Sequence, residues 1–343
     1  MMPNPEFWRG RAVAVTSATS AVGWQIVSRL RHLGARVLAI GPVPSQHHPI
    51  RQCTDITYIA EDVRSLNAAR TALAGAEVIF HAAGPTALWD LAPPDFGERH
   101  ELGWRTAAAS AAPNSRIVLT SCVTAVGATL SGTPLTEEAP FPATAADNPH
   151  VVAKRSTENA ALQSGRDVVV VNAGFAIGPG DDENFGAGRL ISGILAGKLP
   201  LTPPAGLNVV DARDAADGHL LAAERGTTGR RYILGGDNLP LGELIDAVTD
   251  AAGIAPRRIR LWPESILRFL AAASYLAARW TGRPAFPTAQ HVALTESYWF
   301  VRSDRARTEL GYQPRPIAAA IADSVQDRLS RRGNPMSHRQ AAA

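Results

Sequence analysis

Short apolar runs alternate with longer stretches of helical periodicity through the first half of the chain. The runs Ala12–Thr16, Val37–Ile40, Thr57–Ile59, Glu77–His81, Ile117–Ser121 and Val168–Val171 predict strands. The stretches at about Ala21–Leu33, Leu66–Leu73, Phe96–Ala111 and His150–Gln163 predict helices. Repeated βαβ units at this spacing specify an α/β architecture, a Rossmann-type, doubly wound parallel sheet. Ligands bind such sheets beyond the carboxyl ends of the strands, at the switch in strand order. Chemistry is therefore expected after Thr16, His81, Ser121 and Val171.

The texture changes near Pro179. GPGDDENFGAGR is rich in Gly and Asp and PLTPPAG is rich in Pro, so neither continues the rhythm. The expected division is a nucleotide-binding domain over 1–178, returning at about 207–235 and 300–325. A smaller substrate-binding lobe takes 179–206 and 236–299, and a disordered tail takes 330–343. The segment Ser265–Arg279 (SILRFLAAASYLAAR) is apolar on most sides. It is expected to be a buried core helix, with a lid over an apolar ligand as the alternative.

Composition narrows the function classes. The 343 residues hold 34 Lys+Arg against 31 Asp+Glu, too little asymmetry for a nucleic-acid binder. Only two of the basic residues are lysines, Lys154 and Lys198, and about 60 residues are alanine, a bias expected of a GC-rich genome. Two cysteines, Cys53 and Cys122, have neither disulfide-framework nor zinc spacing, so no metal is expected. No uninterrupted run of about 18 apolar residues and no basic-then-apolar leader is present. These features predict a cytoplasmic protein with no membrane partner.

After the first strand comes Thr16-Ser17-Ala18-Thr19-Ser20-Ala21-Val22-Gly23, at the spacing TGxxGxxG with two glycines replaced by serine. The first glycine makes the tight turn, the second admits the diphosphate, and the third lets helix pack on strand. Only Gly23 survives. Ser17 and Ser20 crowd a diphosphate yet add hydroxyls beside a helix N-terminus; they also suit a plain loop and N-cap. Glu61-Asp62-Val63, Phe80-His81-Ala82-Ala83-Gly84, Asn148-Pro149-His150-Val151-Val152-Ala153-Lys154 with Glu158, and Ala173-Gly174-Phe175 before Gly178-Pro179-Gly180-Asp181 follow in order.

This series resembles the extended short-chain dehydrogenase/reductases over nearly the whole chain, and within them it is similar to dihydroflavonol reductases and hopanoid-associated epimerase-like proteins. The resemblance implies that Asp62 and Val63 contact an adenine, and that His81, Ala82, Ala83, Ala173, Gly174 and Phe175 line the cofactor. The second strand ends at Gly41 with no Asp or Glu to grip a 2′-hydroxyl, while His47, His48 and Arg51 lie just beyond. That pattern favours NADPH/NADP+ over NADH.

The family's catalysis resembles a Ser, Tyr-xxx-Lys arrangement in which the tyrosine is general acid and the lysine holds the nicotinamide ribose. Here Lys154 is kept and the tyrosine has become His150. Cys122 stands where the active serine usually does, after Ser121, and His100 where a frequent asparagine does. His150 lies one turn from Lys154, which lowers its pKa and makes it a poor acid at neutral pH. Cys122 has no paired base and is expected to line the cavity.

Three functions follow. An epimerase or dehydratase needs the missing tyrosine as proton acceptor. A non-catalytic NADP-binding scaffold or sensor fits the eroded motifs. A ketoreductase needs mainly positioning, because the hydride is the cofactor's chemistry and the proton can come from water or a substrate phenol. The altered triad on a complete frame resembles the atypical ketoreductases of angucyclinone antibiotic biosynthesis, which act on aromatic polyketides. A flat polycyclic substrate would be walled by Pro85–Trp89, Thr124, Phe175 and the Ser265–Arg279 helix. Relatives often dimerise through the helices preceding Ser121 and following His150, and monomer and dimer both stay open.

Overall fold

The computed structural model describes residues 1–46, 48–82, 84, 95–141, 148–179, 186–197, 205–254, 263–281, 288–289, 292 and 297–332. A single helical turn α1 (Pro5–Trp8) precedes β1 (Ala12–Thr16), α2 (Ala21–His32), β2 (Arg36–Gly41), β3 (Thr57–Ala60), α3 (Leu66–Leu73) and β4 (Val78–His81). Then come α4 (Phe96–Ser110), β5 (Arg116–Cys122), α5 (Pro149–Leu162), β6 (Val168–Ala173), β7 (Phe175–Ile177) and α6 (Gly186–Ala196). The rest is β8 (Gly206–Asp211), α7 (Ala212–Arg225), β9 (Arg231–Leu234), β10 (Asp237–Pro240), α8 (Leu241–Ala251), α9 (Glu264–Thr281), β11 (Tyr298–Trp299) and α10 (Ile317–Arg332). Every strand and helix expected in the first half forms, with ends displaced by no more than two residues.

Seven strands make one sheet in the order β3-β2-β1-β4-β5-β6-β9, and every pairing within it is parallel. The order reverses between β1 and β4, where Thr16 is in register with His81. Both faces are covered, which is why the strands read as continuous apolar runs. Val13, Val15, Val78, Phe80, Val118, Val169 and Val171 pack on one side with Ile26, Val27 and Leu30 of α2 and Leu220 and Leu221 of α7. The intervening Ala14, Ile79, Ile117, Leu119, Val168 and Val170 pack on the other with Ala69, Ala72, Trp104, Ala107 and Ala161 of α3, α4 and α5.

A smaller sheet is built around β8, which pairs antiparallel with β10 and parallel with β7 and β11. Its core joins Phe175, Ile177, Leu207 and Val209 to α6, α8 and α10. α10 continues to Arg332, three residues into the stretch expected to be a tail. No helix among the described residues is long and apolar enough to cross a membrane.

The Ser265–Arg279 segment is helical, but the expectation that it is buried core is overturned. Among the described side chains of α9 only Leu267 and Ala271 are buried, and they meet Val292 in a small cluster of their own. Phe269, Leu276 and Trp280 are exposed, Trp280 at 91%. One apolar face of the helix packs and the other does not, so apolarity on most sides was not evidence of burial on most sides. Accordingly Phe269→Ser is expected to move the unfolding free energy by no more than about 0.5 kcal/mol. Phe80→Ala, in the fully buried core, is expected to cost about 3–5 kcal/mol. Urea denaturation checks both, and a cost above about 1.5 kcal/mol for Phe269→Ser would show that the face is covered in solution.

Candidate active site

At the carboxyl end of β1 the chain turns into α2 through Ser17, whose φ of 52° makes it the one described non-glycine residue in left-handed backbone. The serine keeps the conformation that the lost glycine normally supplies, at about 1–2 kcal/mol. Ser20 caps α2, its Oγ accepting the Gly23 N–H at 3.1 Å. Gly23 admits no side chain: a Cβ there would lie 2.3 Å from the Ser17 carbonyl oxygen. Ala21 and Val22 complete the first turn, which carries no acidic residue. The result is a helix N-terminus with free N–H groups and no competing carboxylate, which fits a diphosphate.

The neighbouring positions fit the rest of a dinucleotide. Thr16 Oγ1 lies 3.3 Å from His81 Nδ1 across the switch point. Asp62 holds Arg64 through both oxygens, at 2.9 Å from Arg64 Nε and 2.8 Å from its backbone N–H, beside the buried Val63. β2 ends at Gly41, where a Cβ would already approach the Tyr58 hydroxyl to 3.1 Å. Arg51, expected to favour a 2′-phosphate, instead spends Nε on the Pro44 and Ser45 carbonyls and Nη2 on Pro44. His48 is half-buried against Trp24, its Nε2 without a partner. His47 and Ala83 lie outside the described residues, and Ala82 ends the described run after β4.

The catalytic frame is a column on α5. His150, Lys154 and Glu158 stand four residues apart and so share one helix face. Asn148 caps the helix, Oδ1 accepting from the N–H of His150 at 2.9 Å and of Val151 at 3.4 Å, and Pro149 takes the first helical position. At the far end Glu158 is fully buried. Asn172 Nδ2 donates to its Oε1 at 2.6 Å and to the Cys122 carbonyl at 3.2 Å. Arg231 Nε lies 2.8 Å from Oε2, close but off the hydrogen-bonding angle. Glu158 thus ties α5 to β5, β6 and β9.

Burial governs the protonation states. Desolvation, reinforced by the Lys154 charge, pushes His150 down to about 3 and His81 down to about 3. Desolvation likewise lowers Lys154, opposed by Cys122 and Glu158, and raises Glu158. His150 is therefore neutral at pH 7, as expected, but burial outweighs the neighbouring cation as the cause. Around it stand Phe96 and His100, with ring centroids 6.0 and 6.3 Å away. His100 in turn fills the space over Gly84, where a Cβ would meet its Cε1 at 2.5 Å.

Three buried polar atoms have no partner on the turn after β5, Val123–Ala125, and at the first residues of α5, the helix on which that turn packs. They are Thr124 Oγ1, His150 Nδ1 and Asn148 Nδ2. Ser121, one residue before the end of β5, lies beside Glu158 with its hydroxyl off the ideal hydrogen-bonding angle. Cys122, directly before that turn, is partly buried and packs against the core of the smaller sheet. Ala173 and Gly174 close β6, Gly174 lying where a Cβ would reach Asn208 Oδ1 at 2.5 Å. Phe175 is buried in the core of the smaller sheet. Pro85 and Trp89 lie outside the described residues. Sequence reasoning gave no site role to Asn148, Phe96, Asn172 or Arg231. The Asn-Pro pair before a helix was a readable capping signal, whereas the other three are brought in only by packing. Among the described residues no group of His, Cys, Asp and Glu could hold a metal ion.

A family model described as the NAD dependent epimerase/dehydratase family matches residues 13–235. The chain is 30% identical over 322 residues to a Synechocystis protein provisionally named dihydroflavonol 4-reductase, covering 91% of this chain and 92% of the relative. It is 28% identical over 332 residues to sterol demethylase protein B of Methylococcus capsulatus, covering 91% and 96%. Among solved structures, that of gox2253 superposes with a TM-score of 0.77 at 28% identity, covering 94% of this chain and 98% of that one. A nucleoside-diphosphate-sugar epimerase from Pseudomonas aeruginosa gives 0.73 at 20% identity, covering 93% and 98%, a likeness of fold alone.

Two outcomes are expected from this geometry. Ser17→Gly removes the left-handed cost of about 1–2 kcal/mol and adds about 0.4–1 kcal/mol of unfolded-chain entropy. A net gain of about 0.5–1 kcal/mol in urea denaturation is expected, and a loss would mean that the hydroxyl itself holds the turn. The second outcome concerns pH. His81 and His150 at about 3 and His219 at about 4 lie below the unfolded value, 6.5. The unfolded chain therefore binds more protons between pH 6.5 and those values. Their contribution is fully present above pH 6.5 and falls by up to about 1.4 kcal/mol per pH unit for each histidine as pH drops. The raised carboxyls of Glu158, Asp217 and Glu224 act the other way and shallow the slope. Denaturation midpoints at pH 7.5, 6 and 5 should decline, and a flat profile would contradict neutral buried imidazoles.

Proposed function

The chain belongs to the NAD dependent epimerase/dehydratase family, and on that premise we propose that it is an NADPH-dependent ketoreductase acting on an aromatic polyketide. The substrate is an angucyclinone ketone, and the proposed role is that of the angucyclinone 7-ketoreductases of antibiotic biosynthesis. The observation that carries this reading is the state of the α5 column. The family lysine stands in place, but the position of the proton donor holds a buried, neutral His150.

A side chain with so low a proton affinity is a weak acid source and a weak base at neutral pH. That disfavours epimerisation or dehydration, which need a side chain to take a proton from carbon or hydroxyl. Carbonyl reduction tolerates the replacement. The bound cofactor supplies a hydride to the carbonyl carbon. This chain's residues would orient and desolvate. Thr16, Ser17, Thr19, Ser20, Ala21, Val22 and Gly23 would hold the diphosphate end, and Asp62 and Val63 the adenine. His81 and Ala82 would line the channel between them, and Lys154 would hold the nicotinamide ribose through its compact ammonium. Ser121, Cys122 and Thr124 would line the substrate side. The proton for the new alkoxide would come from a phenol of the substrate lying peri to the ketone, or from water.

NADPH is favoured because β2 ends at Gly41 without a carboxylate, while the half-buried His48 lies beside Thr19 of the phosphate turn. The names of the two curated relatives refer to a flavonol and a sterol, fused-ring molecules rather than sugar nucleotides. A non-catalytic NADP-binding protein is the second reading, favoured by the serines at the phosphate turn.

NADPH oxidation with a peri-hydroxylated polycyclic ketone is expected to persist in His150→Phe to within about tenfold, whereas loss of a general acid would cost about 10² or more. A collapse of turnover in that variant with NADPH still bound would exclude a substrate-supplied proton. No turnover of any aromatic ketone by the unaltered protein would favour the second reading.

A further inference from the structure

Asn148 is 7% exposed, and only half of its carboxamide is accounted for. Its oxygen accepts from two N–H groups of the first turn of α5. The amide therefore cannot flip without uncapping the helix. Nδ2, with two N–H donors, is held on the opposite side and has no acceptor. Leaving a buried donor unmade costs about 1–3 kcal/mol, and Ser or Asp would cap equally well without carrying that donor.

Asn148 does not stand alone. The fully buried Thr124 hydroxyl and the buried His150 Nδ1 are also without partners. The turn holding Thr124 packs on α5, whose 14 residues place about half a positive charge at their N-terminus. The first N–H groups of α5 are already taken by Asn148, so the free donors are the amide N–H₂ and the hydroxyl, at the positive end of a helix; they suit an oxygen that gains negative charge and disfavour a cation.

We propose that Asn148 Nδ2 is a catalytic hydrogen-bond donor to the substrate oxygen that becomes anionic during reduction. This rests on the ketoreductase reading. In that reaction the two electrons and one hydrogen of a hydride from the reduced nicotinamide form the new C–H bond, and the carbonyl π pair moves to oxygen. The alkoxide takes the proton of the neighbouring phenol, and the negative charge passes to the phenolate until solvent protonates it. Asn148 stabilises that phenolate, so the chain contributes a donor for the charge rather than an acid for the proton. The arrangement compensates for the lost tyrosine hydroxyl without restoring a titratable group.

The test uses the full chain with NADP+ and 2-hydroxyanthraquinone, a flat phenol whose phenolate absorbs at longer wavelength. On the unaltered protein the bound phenol should ionise at least one pH unit below the same phenol on Asn148→Asp, with Asn148→Ser between them. Both variants keep a capping oxygen, so melting temperatures should stay within a few degrees of the parent. NADPH affinity, read by fluorescence titration, should stay within about twofold. Loss of one such donor is expected to lower kcat for a peri-hydroxylated ketone by about 10²–10³.

Equal ionisation of the probe on all three proteins overturns the proposal, as does failure of the probe to bind the parent. Loss of NADPH affinity with unchanged probe ionisation also overturns it, since the donor then belongs to the cofactor. Ionisation of the probe at the lowered pH on the parent, without turnover of any ketone, would leave the anion site standing and remove the ketoreductase reading. Turnover undiminished in both variants would do the reverse.

Discussion

Glu158 can be buried because Asn172 and Arg231 meet it from β6 and β9, and its carboxyl favours the charge of the half-buried Lys154 one turn away on the same helix face. An isolated carboxylate or ammonium in such a place would be costly enough to neutralise itself. The paired arrangement lets α5 approach β5 and β6 closely, with the Asn172 amide also bound to the Cys122 carbonyl. Everything else in the candidate site is placed relative to that column. His150 lies one turn before the lysine and is kept neutral, and the turn after β5 packs on the same helix.

The nucleotide end shows how a motif can lose its usual residues and keep its shape. Two of three glycines are gone, yet the turn after β1 holds its left-handed residue as Ser17, and the strain is borne by contacts on both sides of it. Ala18 is fully buried with its N–H on the Ile40 carbonyl at 3.1 Å. Ser20 serves as both cap and occupant of the second glycine's place. Gly23 is the position with no such latitude, because its missing Cβ would fall on the loop's own carbonyl. The glycine that survived is thus the one whose replacement would collide with backbone.

Much of the fold and part of the site were legible in the chain. The parallel sheet could be read because burial on both faces leaves uninterrupted runs such as Val168–Val171, and short βαβ spacing allows few other topologies. His150 and Lys154 could be placed because four residues on a helix return to one face. Arg231 and Asn172 could not, since they reach Glu158 from strands far along the chain, and nothing in their local sequence marks a partner. Arg51 looked like a phosphate ligand from its position after β2, but its donors are spent on the carbonyls of its own loop.

Local order therefore determined the elements, the sheet class, the phosphate turn and the spacing of the catalytic column, because each depends on periodicity and on neighbours a few residues away. Tertiary structure decided which apolar surfaces are covered, leaving Phe269 and Trp280 of α9 in the open while Leu267 packs. It also decided which polar groups are satisfied and how each histidine is charged. Those properties depend on the dielectric and partners that distant segments bring to a point, and a helix pattern of Ile, Leu and Phe is the same whether or not anything lies against it.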